Sequence, residues 1–282
     1  MRILAIGDFH GKFPSKLRKL ILKENPDLIV SNGDYANADA IRKIVFKYWT
    51  TKRWWEVVGL KRARKLEKES FDSGVKILKE LNGIGKKVYL IWGNSDFDKE
   101  AVSGGSQALV RGNYNNRIRN MKNLVLIDKK KANFGSLGFI GYGGYIDATE
   151  FVKHPIDEDR EAHSKRVKLY KKSEKRLMKL FLNKKPKNFI FVIHYTPYGI
   201  FDKVKYKGSP MYGKHIGWMP YNNAIKKYKP KLVICGHMHE YQGVKRLGKT
   251  LIVNPGVAAE GKAAVIDLNE KSGKIGKVRF VD

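Results

Sequence analysis

Five short apolar runs in this chain each stop at a turn that carries Asp, Asn or His. Residues 3–6 end in Gly7-Asp8-Phe9-His10, residues 27–30 in Ser31-Asn32-Gly33-Asp34, and residues 87–92 in Gly93-Asn94-Ser95-Asp96. Further along, residues 189–193 end at His194, and residues 232–235 at Gly236-His237-Met238-His239. Short apolar runs bounded by glycine read as buried strands. In an open α/β sheet, ligands bind beyond the carboxyl ends of the strands. These strand ends are therefore expected to converge on one pocket furnished with oxygen and imidazole donors. Four of the seven histidines fall there, which sets the pattern apart from scattered surface histidines.

The rest of the chain supports an alternating architecture. Pro14 opens a helix to about Lys23, with Leu17, Leu20 and Ile21 on one face. Residues 36–81 read as helical, with breaks near Thr50-Thr51 and Gly59. Three strand–helix units in series imply a largely parallel sheet. The second half holds candidate strands at 124–127, 137–142, 251–253, 264–268 and 277–281, and a charged helix at 164–182 with a stripe of Val167, Tyr170, Leu177 and Phe181. No internal repeat or linker divides the chain, so a single domain over 1–282 is expected, with helical basic insertions at about 36–82 and 150–187. No apolar run approaches the ~18 residues of a membrane span. The first apolar stretch is too short for a secretory signal and closes at Asp8, which predicts a cytoplasmic protein without membrane contact. The single cysteine, Cys235, excludes an internal disulfide framework and a cysteine-based zinc cluster, and reads as core.

On an extended segment, residues i and i+2 point the same way, so Asp8 with His10, and His237 with His239, are expected to act as pairs. Hard oxygens with imidazoles and no thiolate suit Mn, Fe, Zn, Co or Ni. Each motif alone is common; the order is specific. Asp8-Phe9-His10, Gly33-Asp34, Gly93-Asn94-Ser95-Asp96, the apolar strand ending at His194, and Gly236-His237-Met238-His239 together resemble the calcineurin-like metallophosphoesterase family. Asn254-Pro255-Gly256 is similar to that family's next turn.

The resemblance implies an α/β fold of two mixed β-sheets packed as a sandwich, with helices on the outer faces. It implies two divalent metal ions, Mn2+, Fe2+, Zn2+, Co2+ or Ni2+. By that resemblance Asp8, His10 and His239 hold the first ion, Asn94, His194 and His237 the second, and Asp34 bridges both. Such ions sit ~3.5–4 Å apart and lower the pKa of a shared water from ~15.7 toward ~7, so that a metal-bridging hydroxide attacks a phosphate-ester substrate. One departure stands out. Many relatives carry His directly after the Asn, where it protonates the leaving oxygen; here that position is Ser95. General-acid help of this kind is worth ~10²–10⁴-fold. The arginines of protein-phosphatase relatives are also missing beside both glycine motifs. These differences favour a phosphodiesterase acting on nucleotides or nucleic acid; a phosphomonoesterase, or a nucleic-acid-binding protein on a phosphoesterase scaffold, stay open as alternatives. His215, in the Gly- and Ser-containing stretch 208–215, is the candidate replacement proton donor. His154 and His163 read as surface residues.

The net charge of +30 is concentrated between these motifs. Residues 41–68 carry 10 basic and 2 acidic side chains, residues 160–187 carry 12 and 2, and residues 203–231 carry 8 and none. The first stretch interleaves Phe46, Tyr48, Trp49, Trp54 and Trp55, and basic grooves with stacking aromatics bind single-stranded nucleic acid. A Lys-rich, heat-adapted surface is the competing explanation. The oligomeric state leaves no signature in the sequence.

Overall fold

In the computed structural model, residues 1–49, 52–104, 109–154, 160–182 and 188–282 are described. The expected helix break at Thr50-Thr51 and the last residues of the second insertion lie outside them. Strand β1 (Arg2–Ile6) leads through helix α1 (Ser15–Glu24) to β2 (Leu28–Ser31). Three helices follow, α2 (Asp39–Lys47), α3 (Trp54–Val58) and α4 (Leu60–Gly83), then β3 (Val88–Leu90). Gly59, at φ 76°, makes the break between α3 and α4, a backbone conformation that glycine adopts without a Cβ penalty. Short helices α5 (Lys99–Gly104) and α6 (Tyr114–Arg117) precede β4 (Leu124–Leu126), β5 (Lys130–Phe134) and β6 (Leu137–Tyr142). Then come α7 (Thr149–Lys153), α8 (Arg160–Phe181), β7 (Phe189–Ile193), α9 (Met219–Tyr228) and β8 (Leu232–Ile234). The chain ends with β9 (Gly243–Leu247), β10 (Thr250–Asn254), β11 (Ala263–Leu268) and β12 (Ile275–Val281).

The strands form two mixed six-stranded sheets, in the orders β12-β11-β1-β2-β3-β4 and β5-β6-β7-β8-β10-β9. In the first, β1 to β4 are parallel and β11 runs antiparallel to β1. In the second, β6, β7, β8 and β10 are parallel, with β5 and β9 antiparallel at the edges. The two-residue period of a strand assigns each face. Ile3 and Ala5 of β1 turn toward the second sheet and pack with Phe139, Ile190, Val192 and Ile234. Leu4 and Ile6 turn outward, onto Leu17 and Ile21 of α1 and Leu78 and Leu81 of α4. Leu177 and Phe181 of α8, with Tyr221 and Ile225 of α9, cover the outer face of the second sheet. Each such fully buried aliphatic or aromatic side chain contributes ~1.5–3 kcal/mol. The α/β sandwich with outer helices is the architecture expected from the sequence.

Three details differ from the sequence reading. Helix α8 starts at Arg160, ahead of its apolar stripe, because its first turn is charged and exposed and carries no hydrophobic signal. Strands β5 and β9 escape notice for a similar reason. Both are exposed edge strands, bearing Lys130, Lys131, Lys245 and Arg246, residues that also discourage edge-to-edge pairing. Helix α9 lies in a stretch that composition marks only as basic. Cys235 is fully buried. No helix among the described residues is long and apolar enough to cross a membrane.

Candidate metal centre

The parallel strands of each sheet deliver their carboxyl ends to one edge of the sandwich. There the turns after β1 and β2 are zipped together: the amides of Phe9 and His10 donate to the Asp34 carbonyl at 2.8 and 3.1 Å, and Asp8 donates to Gly33 at 2.9 Å. Asp8, His10, Asp34 and His237 all adopt left-handed backbone, at φ 57°, 44°, 57° and 66°. This overturns the expectation that Asp8 with His10 and His237 with His239 sit on extended backbone. Left-handed non-glycine residues cost of order 1–3 kcal/mol each and persist only where the surroundings hold them.

Asp96 supplies much of that hold around Asp34. Its carboxylate accepts the amides of Gly93 at 2.7 Å, Asp34 at 2.9 Å, Tyr35 at 2.8 Å and Ala36 at 3.3 Å. Burial and the neighbouring Asp34 push its pKa up to about 7. Gly93 passes so close that a Cβ there would overlap the Asp34 carboxylate and amide. Asn32 is a second organiser: its carbonyl meets His194 Nδ1 at 2.9 Å, and its side chain donates to the Cys235 carbonyl at 2.6 Å. With Nδ1–H given to a carbonyl, Nε2 is the nitrogen that His194 turns toward the pocket. Asn254 reaches back from β10 and donates to the Met238 carbonyl at 3.4 Å, tying down the turn that bears His237 and His239.

The result is two groups of donor atoms that share one carboxylate. Asp8, His10, Asp34 and His239 bring ligand atoms within 4.8 Å of one another, and so do Asp34, His194 and His237. His10 Nε2 and His239 Nε2 lie 2.9 Å apart, and His194 Nε2 is 3.5 Å from Asp34 Oδ2. Asn94 adjoins the second group, its Oδ1 3.0 Å from His194 Nε2. His237 and His239, neighbours in sequence, thus part company into different groups. His237 stacks on Tyr195 at 4.0 Å and its amide donates to the Asp8 carboxylate at 3.1 Å.

The electrostatics fit a cation-binding site. Asp8, Asp34 and His194 expose at most 2% of their surface. Burial opposes ionisation of Asp34, yet His194, His10 and the Ser95 amide hold its carboxyl well below the usual range. Asp8 is likewise lowered against burial, by His239 and His194. Burial opposes the charge on His194 too, and Asp34 prevails, raising it to about 9. His237 is driven down to about 3 by burial and by His194. Two buried carboxylates facing converging imidazole nitrogens are a donor set that divalent ions complete, with oxygen and nitrogen ligands and no thiolate.

His215 joins neither group. It lies against Asp202, with Nδ1 2.7 Å from Oδ1, and its ring centre is 5.8 Å from that of Tyr198. Asp96 stands in the quoted motif, but its role as an amide clamp has no signal in a single sequence; neither has that of Asn32. His154 is exposed and faces Glu150.

A family profile described as metallophosphoesterase, calcineurin superfamily, matches residues 1–278. The chain belongs to that superfamily, whose members depend on a dinuclear metal centre. An uncharacterized protein of Methanocaldococcus jannaschii is 21% identical over 259 residues, covering 90% of this chain and 88% of its own. Among solved structures, one crystal structure matches with TM-score 0.62 at 21% identity, over 99% of this chain and 98% of the other. The structure of a dimetal phosphatase from Danio rerio matches with TM-score 0.51 at 12% identity, over 96% of this chain and 93% of the other. At these identities the structural matches speak to the fold.

Proposed function

We propose that this chain is a two-metal phosphoesterase that cleaves phosphodiesters of nucleotides or nucleic acid. The observation that carries the reading is the sharing of Asp34 between two groups of ligand atoms. On this assignment Asp8, His10 and His239 would hold one ion and Asn94, His194 and His237 the other, with Asp34 shared between the two groups. The chemistry supplied by two bound divalent ions is Lewis-acid polarisation of a phosphoryl oxygen and activation of a water at neutral pH. The residues do the positioning. Asn32 orients His194 through Nδ1, and Asp34, ionised, supplies the negative charge that offsets repulsion between two close dications. Burial of Asp8, Asp34 and His194 strengthens the charge interactions among them.

The preference for a diester rests on position 95. Ser95 donates its amide and its hydroxyl to Asp34, at 2.9 and 3.2 Å. A hydroxyl so engaged offers no proton to a leaving oxygen, so no side chain at this position replaces the family's histidine. His215 is the candidate donor, its ring held at Nδ1 by the buried Asp202. The basic helices α2, α4 and α8 support a polyanionic substrate, since positive surfaces attract phosphate-rich chains.

The test is hydrolysis of bis(p-nitrophenyl) phosphate against p-nitrophenyl phosphate, with Mn2+, Ni2+, Co2+ and Zn2+ in turn. The diester should be cleaved faster, and Asp34→Ala and His194→Ala should abolish turnover. A faster monoester would make the protein a phosphomonoesterase. Undiminished activity in both variants would overturn the site. Loading of fewer than one metal per chain, with tight nucleic-acid binding, would favour a binding protein on this scaffold.

A further inference from the structure

Helix α2 belongs to the inserted region, yet both of its ends are tied to the ligand turns. It starts at Asp39, five residues after Asp34. Just past its other end, partly buried Trp49 packs against the cluster of Met238, the residue between His237 and His239. Trp49 also meets Phe151 of α7, ring centres 6.4 Å apart. The helix therefore lies alongside the Asp8–His10–His239 group. Arg42 shares a face of the helix with Phe46 and Trp49, at i, i+4 and i+7, and the rings of Phe46 and Trp49 meet at 6.4 Å, so this is the face turned toward the cluster of Met238.

The setting of Arg42 distinguishes it from a structural arginine. It pairs with Asp39 of the same helix, at 2.8 Å, and both side chains are more than two-fifths exposed. Exposed pairs of this spacing add only a few tenths of a kcal/mol to a helix, ~0.2–0.5. The guanidinium can thus exchange Asp39 for a better anion at little cost, and its planar fork matches phosphate oxygens two at a time. Asp8, His10 and Asp34 are buried, whereas Arg42 is exposed at 44% of its side chain. Its exposure suits it to a phosphate other than the one held among those buried donors.

We propose that Arg42 is a specificity-determining residue that binds a second phosphate of the substrate, next to the one being cleaved, on the His10–His239 side of the site. This rests on the two-metal reading above. It selects esters whose scissile phosphate has a phosphorylated neighbour, as in oligonucleotides and terminally phosphorylated dinucleotides.

The experiment uses dithymidylate bearing a phosphate at its 5′ end, at its 3′ end, or at neither, so that the scissile diester is the same throughout. The metal-loaded wild-type enzyme should show a KM about ten-fold or more lower for one of the phosphorylated forms, the scale of a charge-assisted hydrogen bond. Arg42→Ala should erase that gain at unchanged metal content, and Arg42→Lys should restore part of it. Lys277→Ala, which removes a charge on exposed strand β12, should keep the gain in full. Absence of any gain from a terminal phosphate in wild type, survival of the gain in Arg42→Ala, or loss of metal in that variant would each overturn the assignment. Wild-type protein that takes up no metal and cleaves no ester would instead fail the parent reading, and Arg42's role with it.

Discussion

Ser95 grips both oxygens of Asp34, its amide 2.9 Å from Oδ1 and its hydroxyl 3.2 Å from Oδ2. The residue that replaces a general acid in this chain is thereby a brace for the shared carboxylate. Its hydroxyl is committed to a fully ionised partner, and a hydrogen bond to a charged group is worth ~1.5–3 kcal/mol.

That brace predicts a steep dependence of rate on the leaving group. Across a series of aryl esters, wild-type kcat should fall strongly as the phenol becomes more basic. Ser95→His should flatten that slope while lowering activity on the best leaving groups, because the brace is lost. An equal slope in both proteins would show that proton donation already comes from elsewhere, and the same series in His215→Ala would then locate it.

Asp34 stands in both ligand groups, so its loss should not be confined to one ion. Asp34→Asn removes the charge with little change of shape. Metal content measured after chelation and reloading should fall from about two per chain to below one. His237→Ala, in the second group alone, should retain close to one. Retention of both ions in Asp34→Asn would remove the bridge from the mechanism.

Metal uptake and protons should compete at His194, whose pKa is raised from 6.5 to about 9 in the metal-free protein, against burial and by Asp34. An imidazole must be neutral to ligate, so uptake below that pH releases a proton, and affinity should rise as pH climbs from 6.5 to 9. The sign for stability is opposite. A group with a raised folded pKa contributes fully below its unfolded value and loses that contribution as pH rises through the folded one. Metal-free protein should therefore lose stability between about pH 6.5 and 9. Urea midpoints should show this decline in wild type and a smaller one in His194→Gln, where His239, also raised against burial by Asp8, still contributes; a flat wild-type profile would refute it.

Asp96 accepts four backbone amides around the Asp34 turn. Asp96→Asn keeps the volume but turns an NH2 toward donors that are already buried. Each unsatisfied buried donor costs ~1–3 kcal/mol. The melting temperature should drop and metal affinity should weaken together, since the left-handed Asp34 loses its clamp. Unchanged metal binding at lowered stability would separate the clamp from the site.

The sequence by itself determined which strand ends carry donors, which donor types they are, the family they resemble, and where the +30 charge gathers. Those are properties of local pattern: an apolar run, a glycine, a carboxylate or imidazole next to it. It also made the buried strands legible, because they announce themselves by composition while exposed edge strands such as β5 and β9 do not; the sandwich was implied by the family resemblance. What only the tertiary structure decided is how the donors are shared out. Neither turn is extended, and with left-handed backbone in both, Asp8 and His10 stay in one group while His237 and His239 part. His10 meets His239 across 229 residues of sequence, and Asp96 clamps a turn 62 residues before it. Arg42 lies in a helix that reads only as basic and amphipathic until Trp49 is seen against the cluster that holds Met238. A pattern along the chain fixes which face of its own strand a side chain takes; which other strand end it meets depends on sheet order and twist, and those are settled by the packing of the whole.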